Sequence, residues 1–270
     1  MTLNSHDRNL KNYHFITFSN KGYSSPDRIL NQAVDSGFFS TITCYTNSDI
    51  RSLVLRYPIH FLLRRNQGFG SFIWKPYLLL KKLKEINDGD IVVYSDLGNH
   101  ISKGGHLLFN LYMDKLSEAN KSIGVFGVSE YYDSSTFVYK RAVDSYYPTF
   151  YSDDKAIRNS VYGGLVFARK TKNVESIIFD WFILCKEYLT PLFPDKKRIE
   201  NPGFIGQDAD NGFLPLILSK HNDYVIFPGE DVNLYSKEGI QLKHCLPPKD
   251  YLSLDWSPLD SSPFTLRRDR

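Results

Sequence analysis

Cysteine is scarce in this chain of 270 residues: Cys44, Cys185 and Cys245 are odd in number, widely spaced and form no CxxC pair. A disulfide framework and a zinc knuckle are thereby excluded, and a reducing cytoplasm is the expected setting. Long apolar runs are missing too. None approaches the roughly 18 residues that would span a bilayer. Residues 1–12 lack the apolar stretch of a signal peptide and are expected to form a flexible N-terminus. No charge sign dominates, because 33 basic against 30 acidic residues leave a formal +3. That balance argues against a nucleic-acid partner, which demands a concentrated basic face. Local basic clusters remain at Arg64-Arg65, Lys81-Lys82, Lys196-Lys197-Arg198 and in the tail at Arg267, Arg268 and Arg270. They read as solvated surface, with peripheral contact at the inner face of a membrane, through the basic tail, as the other reading. Glycine-rich phosphate loops are also absent. No G-x-G-x-x-G turn opens a helix, which excludes a dinucleotide dehydrogenase.

Aromatic residues, in contrast, are abundant, with 18 Tyr, 19 Phe and 3 Trp. They imply an aromatic core or a cleft that stacks flat ligands. The segment His14 to Phe18 reads as a buried strand. Ser25-Pro26-Asp27 reads as a helix start with Ser25 as cap and Pro26 at the first helical position. Phe39 to Tyr45 reads as a second strand, which completes a βαβ unit. Trp74-Lys75-Pro76 leads into a helix closed by the turn Asn87-Asp88-Gly89-Asp90. Ile91 to Tyr94 is an uncharged β-branched run suited to a central strand. A helix over 105–116, strands over 123–128 and 163–168, helices over 174–188 and 208–218 and a last strand over 224–227 follow. Strands alternating with helices predict a single α/β domain with a mostly parallel sheet flanked by helices.

Asp96 is the sharpest chemical signal. It follows four apolar strand residues directly, at the strand end where open parallel sheets bind ligands. A carboxylate there binds a hard divalent cation or a ribose hydroxyl; the alternative is a turn aspartate. Gly98 allows close backbone approach or serves the turn. Lys75, just ahead of its helix, is a candidate for a diphosphate or an exposed lysine. Asp208, in Gly206-Gln207-Asp208, is a candidate catalytic carboxylate or a helix-start acid. His244 is a candidate metal ligand or a surface histidine.

Several strings together carry a resemblance. They are Gly68-Phe69-Gly70-Ser71-Phe72-Ile73-Trp74-Lys75-Pro76-Tyr77, Asn87-Asp88-Gly89-Asp90 and Tyr94-Ser95-Asp96-Leu97-Gly98-Asn99-His100. This pattern resembles a family of bacterial GT-A glycosyltransferases of capsule and lipopolysaccharide type. Phe15 to Phe18 with Tyr23 and Arg28, Tyr139-Lys140-Arg141, Gly164 to Lys170 and Gly206-Gln207-Asp208 resemble further elements of the family, more loosely. The resemblance spans about residues 13–230.

It implies a Rossmann-like GT-A domain over 13–255, with a nucleotide-sugar-binding half at 13–128, an acceptor-binding half at 129–255 and a C-terminal tail at 256–270. It implies a hexosyltransferase-type enzyme that takes a nucleotide-diphosphate sugar and a glycan or lipid-linked acceptor in surface polysaccharide synthesis. Asp96 stands at the place of the Asp-x-Asp motif, with Gly98 where the second aspartate would be. A divalent cation, Mn²⁺ or Mg²⁺, is then expected on Asp96, with His244 as a further ligand and His100 as another candidate. Thr17, Ser19, Tyr23, Lys75, Tyr94 and Asp96 are the expected donor-binding residues, and Asp208 and Asp96 the expected catalytic pair. Two other readings stand beside this one: a non-catalytic carbohydrate-binding protein, and a sugar nucleotidyltransferase. The loop Ser19-Asn20-Lys21-Gly22, with its single glycine, disfavours the latter.

Overall fold

The computed structural model describes residues 12–20, 25–63, 69–127, 134–188, 200, 201, 203, 204, 206, 212–227, 234, 235, 241, 242 and 261–265. The chain opens with β1 (Tyr13–Ser19), α1 (Asp27–Ser36) and β2 (Thr41–Thr46), the expected βαβ unit. Ser25 Oγ accepts the Asp27 amide at 3.2 Å, so it caps the helix although Pro26 is the residue flanking α1. Two short helices, α2 (Arg51–Arg56) and α3 (Pro58–Leu63), follow. Each is too short to show a helical period in sequence. Next come α4 (Trp74–Leu83), β3 (Ile91–Ser95), β4 (His100–Ile101), α5 (His106–Glu118) and β5 (Ile123–Gly127). The second half contributes α6 (Lys140–Tyr146), β6 (Val161–Arg169), α7 (Val174–Tyr188), α8 (Phe213–His221), β7 (Tyr224–Phe227) and three two-residue strands: β8 (Leu234–Tyr235), β9 (Gln241–Leu242) and β10 (Phe264–Thr265).

Six strands form one sheet in the order β2-β1-β3-β6-β5-β7. β2, β1 and β3 run parallel, as do β5 and β7, while β6 is antiparallel to both its neighbours. The expected α/β class with a mostly parallel sheet is therefore what the chain builds. Alternation along the strands feeds two cores. Ile16, Val92 and Tyr94 pack with Leu78, Leu79, Trp181 and Leu216 on the face covered by α4, α7 and α8. Phe15 and Val93 pack with Ile29, Phe109, Tyr112 and Met113 on the face covered by α1 and α5. Both faces of β3 are buried, which accounts for its lack of charged residues. Many of the aromatics serve this interior: Phe38 stacks on Phe109 at 4.4 Å between centroids, and Tyr112, Phe126, Phe167 and Phe227 form a ring cluster.

Residues 261–265 of the expected C-terminal tail are among those described. Within it β10 pairs antiparallel with β4, and Phe264 is buried at 1% exposure against Phe109 and Phe167. A Cβ on Gly105 would lie 2.2 Å from the Pro263 nitrogen, so the close approach of this segment requires glycine there. An apolar residue and a glycine 159 positions apart in the chain fix this docking, and neither announces the other in sequence. Part of this segment thus packs on the core. The expected helix over 208–218 begins at Phe213, and residues 207–211 lie outside the described set.

Candidate active site

Asp96 sits immediately beyond the carboxyl end of β3, on the sheet edge where β1 and β2 also end. Because β6 is antiparallel, its first residues arrive at the same edge: Ser95 is in register with Leu165, and the Asp96 amide donates to Gly164 O at 2.8 Å. The carboxylate does not cap its own turn. That task falls to its backbone, whose carbonyl accepts the Asn99 amide at 3.1 Å.

One carboxylate oxygen is held from below. Lys75 Nζ lies 3.4 Å from Asp96 Oδ1, and the Tyr94 hydroxyl donates to the same oxygen. Lys75 is 1% exposed; its ammonium also donates to Gly163 O at 3.0 Å and lies 5.0 Å from the Tyr94 ring centroid and 5.6 Å from that of Phe72. A buried ammonium needs such compensation, because desolvation is offset only by a paired charge and full hydrogen bonding. The other oxygen, Oδ2, has no hydrogen-bond partner among the described residues, and the Asp96 side chain is 40% exposed. The result is a carboxylate fixed at one oxygen and open at the other.

The surrounding loop is gripped as well. Arg28 donates to Leu97 O at 2.5 Å and to Asn99 O at 2.8 Å. Buried Asn99 donates from Nδ2 to Ser95 Oγ at 2.9 Å and to Gly164 O at 2.8 Å, and its Oδ1 accepts the Tyr162 hydroxyl at 2.9 Å. Thr17 is fully buried, with its hydroxyl on Ser95 O at 2.8 Å. A site held this firmly by hydrogen bonds from several elements is preorganised. Glycine clears the space. A Cβ on Gly164 would lie 2.2 Å from the Tyr162 hydroxyl oxygen and 2.8 Å from Asp96 Oδ2.

Strain is concentrated just ahead of Lys75. Gly70, Ser71 and Phe72 all have positive φ, at 59°, 53° and 58°. For the two non-glycine residues this left-handed turn costs roughly 1–2 kcal/mol each. It places the Phe72 ring beside the ammonium. Gly70 is required, because a Cβ there would sit 2.3 Å from the Phe61 ring.

These placements revise several expectations. Lys75, Tyr94 and Thr17 are each at most 1% exposed, so they stand behind the sheet edge rather than lining a pocket surface. Ser19, the last residue of β1, is half-buried at the same sheet edge. Gly98 is not among the positive-φ glycines, so its turn makes no demand on glycine's left-handed freedom. His100 is a poor cation ligand. Gln32 Oε1 accepts the Ile101 amide at 3.1 Å and Arg28 at 3.2 Å, which orients the amide so that Nε2 donates to His100 Nδ1 at 2.9 Å. The lone pair of the neutral ring is thereby engaged. Tyr23, Asp208 and His244 lie outside the described residues.

For a divalent cation, Asp96 Oδ2 is an open ligand atom at this sheet edge, and no three His, Cys, Asp or Glu side chains converge among the described residues. This donor set fits a cation held largely by phosphate oxygens and water, as Mg²⁺ commonly is, and not one caged by protein. The residues that the sequence alone left unremarked as a set are Gly163, Gly164, Tyr162 and Asn99. Their signal was the tandem glycine inside a strand, which marks close approach of another group.

No protein-family model matches the chain, and no curated protein matches its sequence. Among solved structures, the chain is similar to a glycosyltransferase involved in the glycosylation of the major capsid of PBCV-1, with 8% identity and a TM-score of 0.49 over 94% of this chain and 91% of that one. It is similar to mouse xyloside xylosyltransferase 1 in its apo form, with 10% identity and a TM-score of 0.42 over 94% and 96% of the two chains. It is also similar to 4-diphosphocytidyl-2C-methyl-D-erythritolsynthase from Anaerococcus prevotii, with 9% identity and a TM-score of 0.34 over 86% and 92%. At such identities and scores these likenesses carry no argument about chemistry, which rests on the geometry around Asp96.

Proposed function

We propose that this chain is a glycosyltransferase that moves a sugar from a nucleotide-diphosphate donor to a hydroxyl of a glycan or lipid-linked acceptor, in surface polysaccharide synthesis. The observation that supports this reading is the half-open carboxylate of Asp96 at the ligand edge of the sheet, fixed by buried Lys75 and Tyr94. Asp96 receives the donor's diphosphate end, with Ser19 and Tyr23 on the nucleotide side. In the transfer, the acceptor oxygen bonds to the anomeric carbon, the bond from that carbon to the diphosphate oxygen breaks, and the acceptor proton passes to a base. Asp208 is the candidate for that base. Asp96 Oδ2 and His244 are the residues that would hold Mn²⁺ or Mg²⁺, which when bound supplies positive charge against the departing diphosphate. Lys75 holds Asp96 aimed, so its contribution is to positioning.

The pairing dictates the test. Asp96→Asn alone strands a buried ammonium, at a stability cost of roughly 2–4 kcal/mol once the exposed side of the pair is discounted. Lys75→Met/Asp96→Asn removes both charges and regains much of that stability. Isothermal calorimetry with UDP and GDP, with and without Mn²⁺, on folded wild type and double variant separates site from scaffold. Wild type is expected to bind one nucleotide and the stable double variant to bind neither. Equal binding by both would remove Asp96 from the function. A protein that ignores every nucleotide but binds glycans would instead be a carbohydrate-binding module.

A further inference from the structure

Between Asp49 and Glu85 the sequence contains no acidic residue, while Arg51, Arg56, Arg64, Arg65, Lys75, Lys81, Lys82 and Lys84 all fall within that stretch. Lys75 is buried on Asp96, and Lys81 and Lys82 pair with the flanking Asp49 and Glu85, so the arginines carry the free positive charge of this segment. The helices α2 and α3 open the stretch, and both expose aliphatic side chains. Leu55 is 73% exposed on α2, and Ile59 at 37% and Leu62 at 57% lie three residues apart on one side of α3. Pro58 is exposed among them, and exposed Arg51 and Arg56 flank them without an ion-pair partner among the described residues. The opposite side is anchored: Leu53 and Phe61 are buried, and Phe61 packs on Phe69 at 5.2 Å and over Gly70. The other exposed leucines differ. Leu107 and Leu111 lie on α5, where Asp114 and Glu118 more than offset Lys115, so that surface has no net positive charge.

We infer that the α2–α3 face docks on an anionic lipid bilayer. Aliphatic side chains enter the headgroup boundary while arginines meet lipid phosphates, the arrangement of an interfacial amphipathic helix. Among the described residues no helix is long and apolar enough to cross a membrane, so the contact is peripheral. The docking face and the site are linked in the chain. α3 packs through Phe61 on the left-handed turn that precedes Lys75, so a face docked there adjoins the segment that carries Lys75 to Asp96. That last point rests on the proposed transferase reading and favours a lipid-linked acceptor; the docking itself does not depend on it.

Vesicle flotation with the full chain, in the absence of any nucleotide or sugar, tests this. The chain is expected to float with vesicles of equal parts phosphatidylcholine and phosphatidylglycerol and to stay behind with phosphatidylcholine alone. Arg51→Gln/Arg56→Gln is expected to weaken binding about thirtyfold, at about fivefold per charge near the surface. Leu55→Ser/Leu62→Ser is expected to weaken it about tenfold or more. Both variants keep the wild-type melting temperature, because these side chains point outward. Binding to neither vesicle, or equally to both, would overturn the inference. So would a loss confined to Arg267→Gln/Arg268→Gln/Arg270→Gln, or a wild-type dimer in light scattering that the leucine pair abolishes. Failure here leaves the nucleotide-binding test untouched.

Discussion

Asp90 precedes β3 and Asp96 follows it, so one short strand carries a carboxylate at each end, and the two are treated differently. Asp90 is 4% exposed and saturated: it accepts the amides of Asn12 at 3.0 Å and Asn87 at 3.1 Å, and His14 Nε2 lies 3.3 Å from it. Burial works against its charge, but those hydrogen bonds outweigh burial and hold its carboxyl below the ordinary carboxylate range. Asp96 is 40% exposed, fixed through one oxygen and open at the other. The lesson is that an acid at the amino end of a parallel strand closes the turn there, whereas one at the carboxyl end is left with coordinating capacity. Sequence position suggests this asymmetry; the hydrogen-bond inventory establishes it.

The contrast is sharpest in activity. Asp96→Asn is expected to lower donor turnover by about a hundredfold or more, the scale of losing a group that stabilises charge in the transition state, while Asp90→Asn leaves turnover unchanged. Steady-state assays of donor hydrolysis on both variants check this. Gly164→Ala comes next. The added methyl meets the Tyr162 hydroxyl and Asp96 Oδ2, so it is expected to destabilise the fold by about 1–3 kcal/mol and to weaken nucleotide binding. Calorimetry and thermal melts report the two effects separately, and unaltered values for both would deny the close packing.

Asp90→Asn reverses the pattern by affecting stability alone. The substitution is expected to cost about 1–3 kcal/mol at neutral pH. The folded carboxyl is depressed, so its contribution is complete above the unfolded value near pH 4 and is lost as pH falls through the folded value. Wild type therefore loses this increment on acidification and the variant has none to lose, so their melting temperatures converge below about pH 4. Tyr94→Phe is the smallest change. It removes one hydrogen bond to Asp96 and is expected to weaken donor affinity about three- to tenfold with little change in melting temperature.

Much of this was readable in advance because it is local. The uncharged run before Asp96, the Trp74-Lys75-Pro76 helix start and the closing turn at Asn87 to Asp90 each depend on near neighbours. The reversed direction of β6 was not readable, since a fully buried strand shows the same apolar run whichever way it runs. Direction matters here, because it alone brings Gly163 and Gly164 to Asp96. Lys75 was legible as a candidate but not as a buried one: its burial is set by Gly163, 88 residues away. The return of Phe264 to the core was hidden for the same reason.

The central claim is that Asp96, and not its twin at the other end of β3, receives a nucleotide diphosphate. Calorimetric titration of the cognate nucleotide into wild type, Asp90→Asn and Lys75→Met/Asp96→Asn tests it most directly. The account predicts equal affinity for the first two and none for the third. Retained affinity in the third, with a melting temperature that shows it folded, would contradict it.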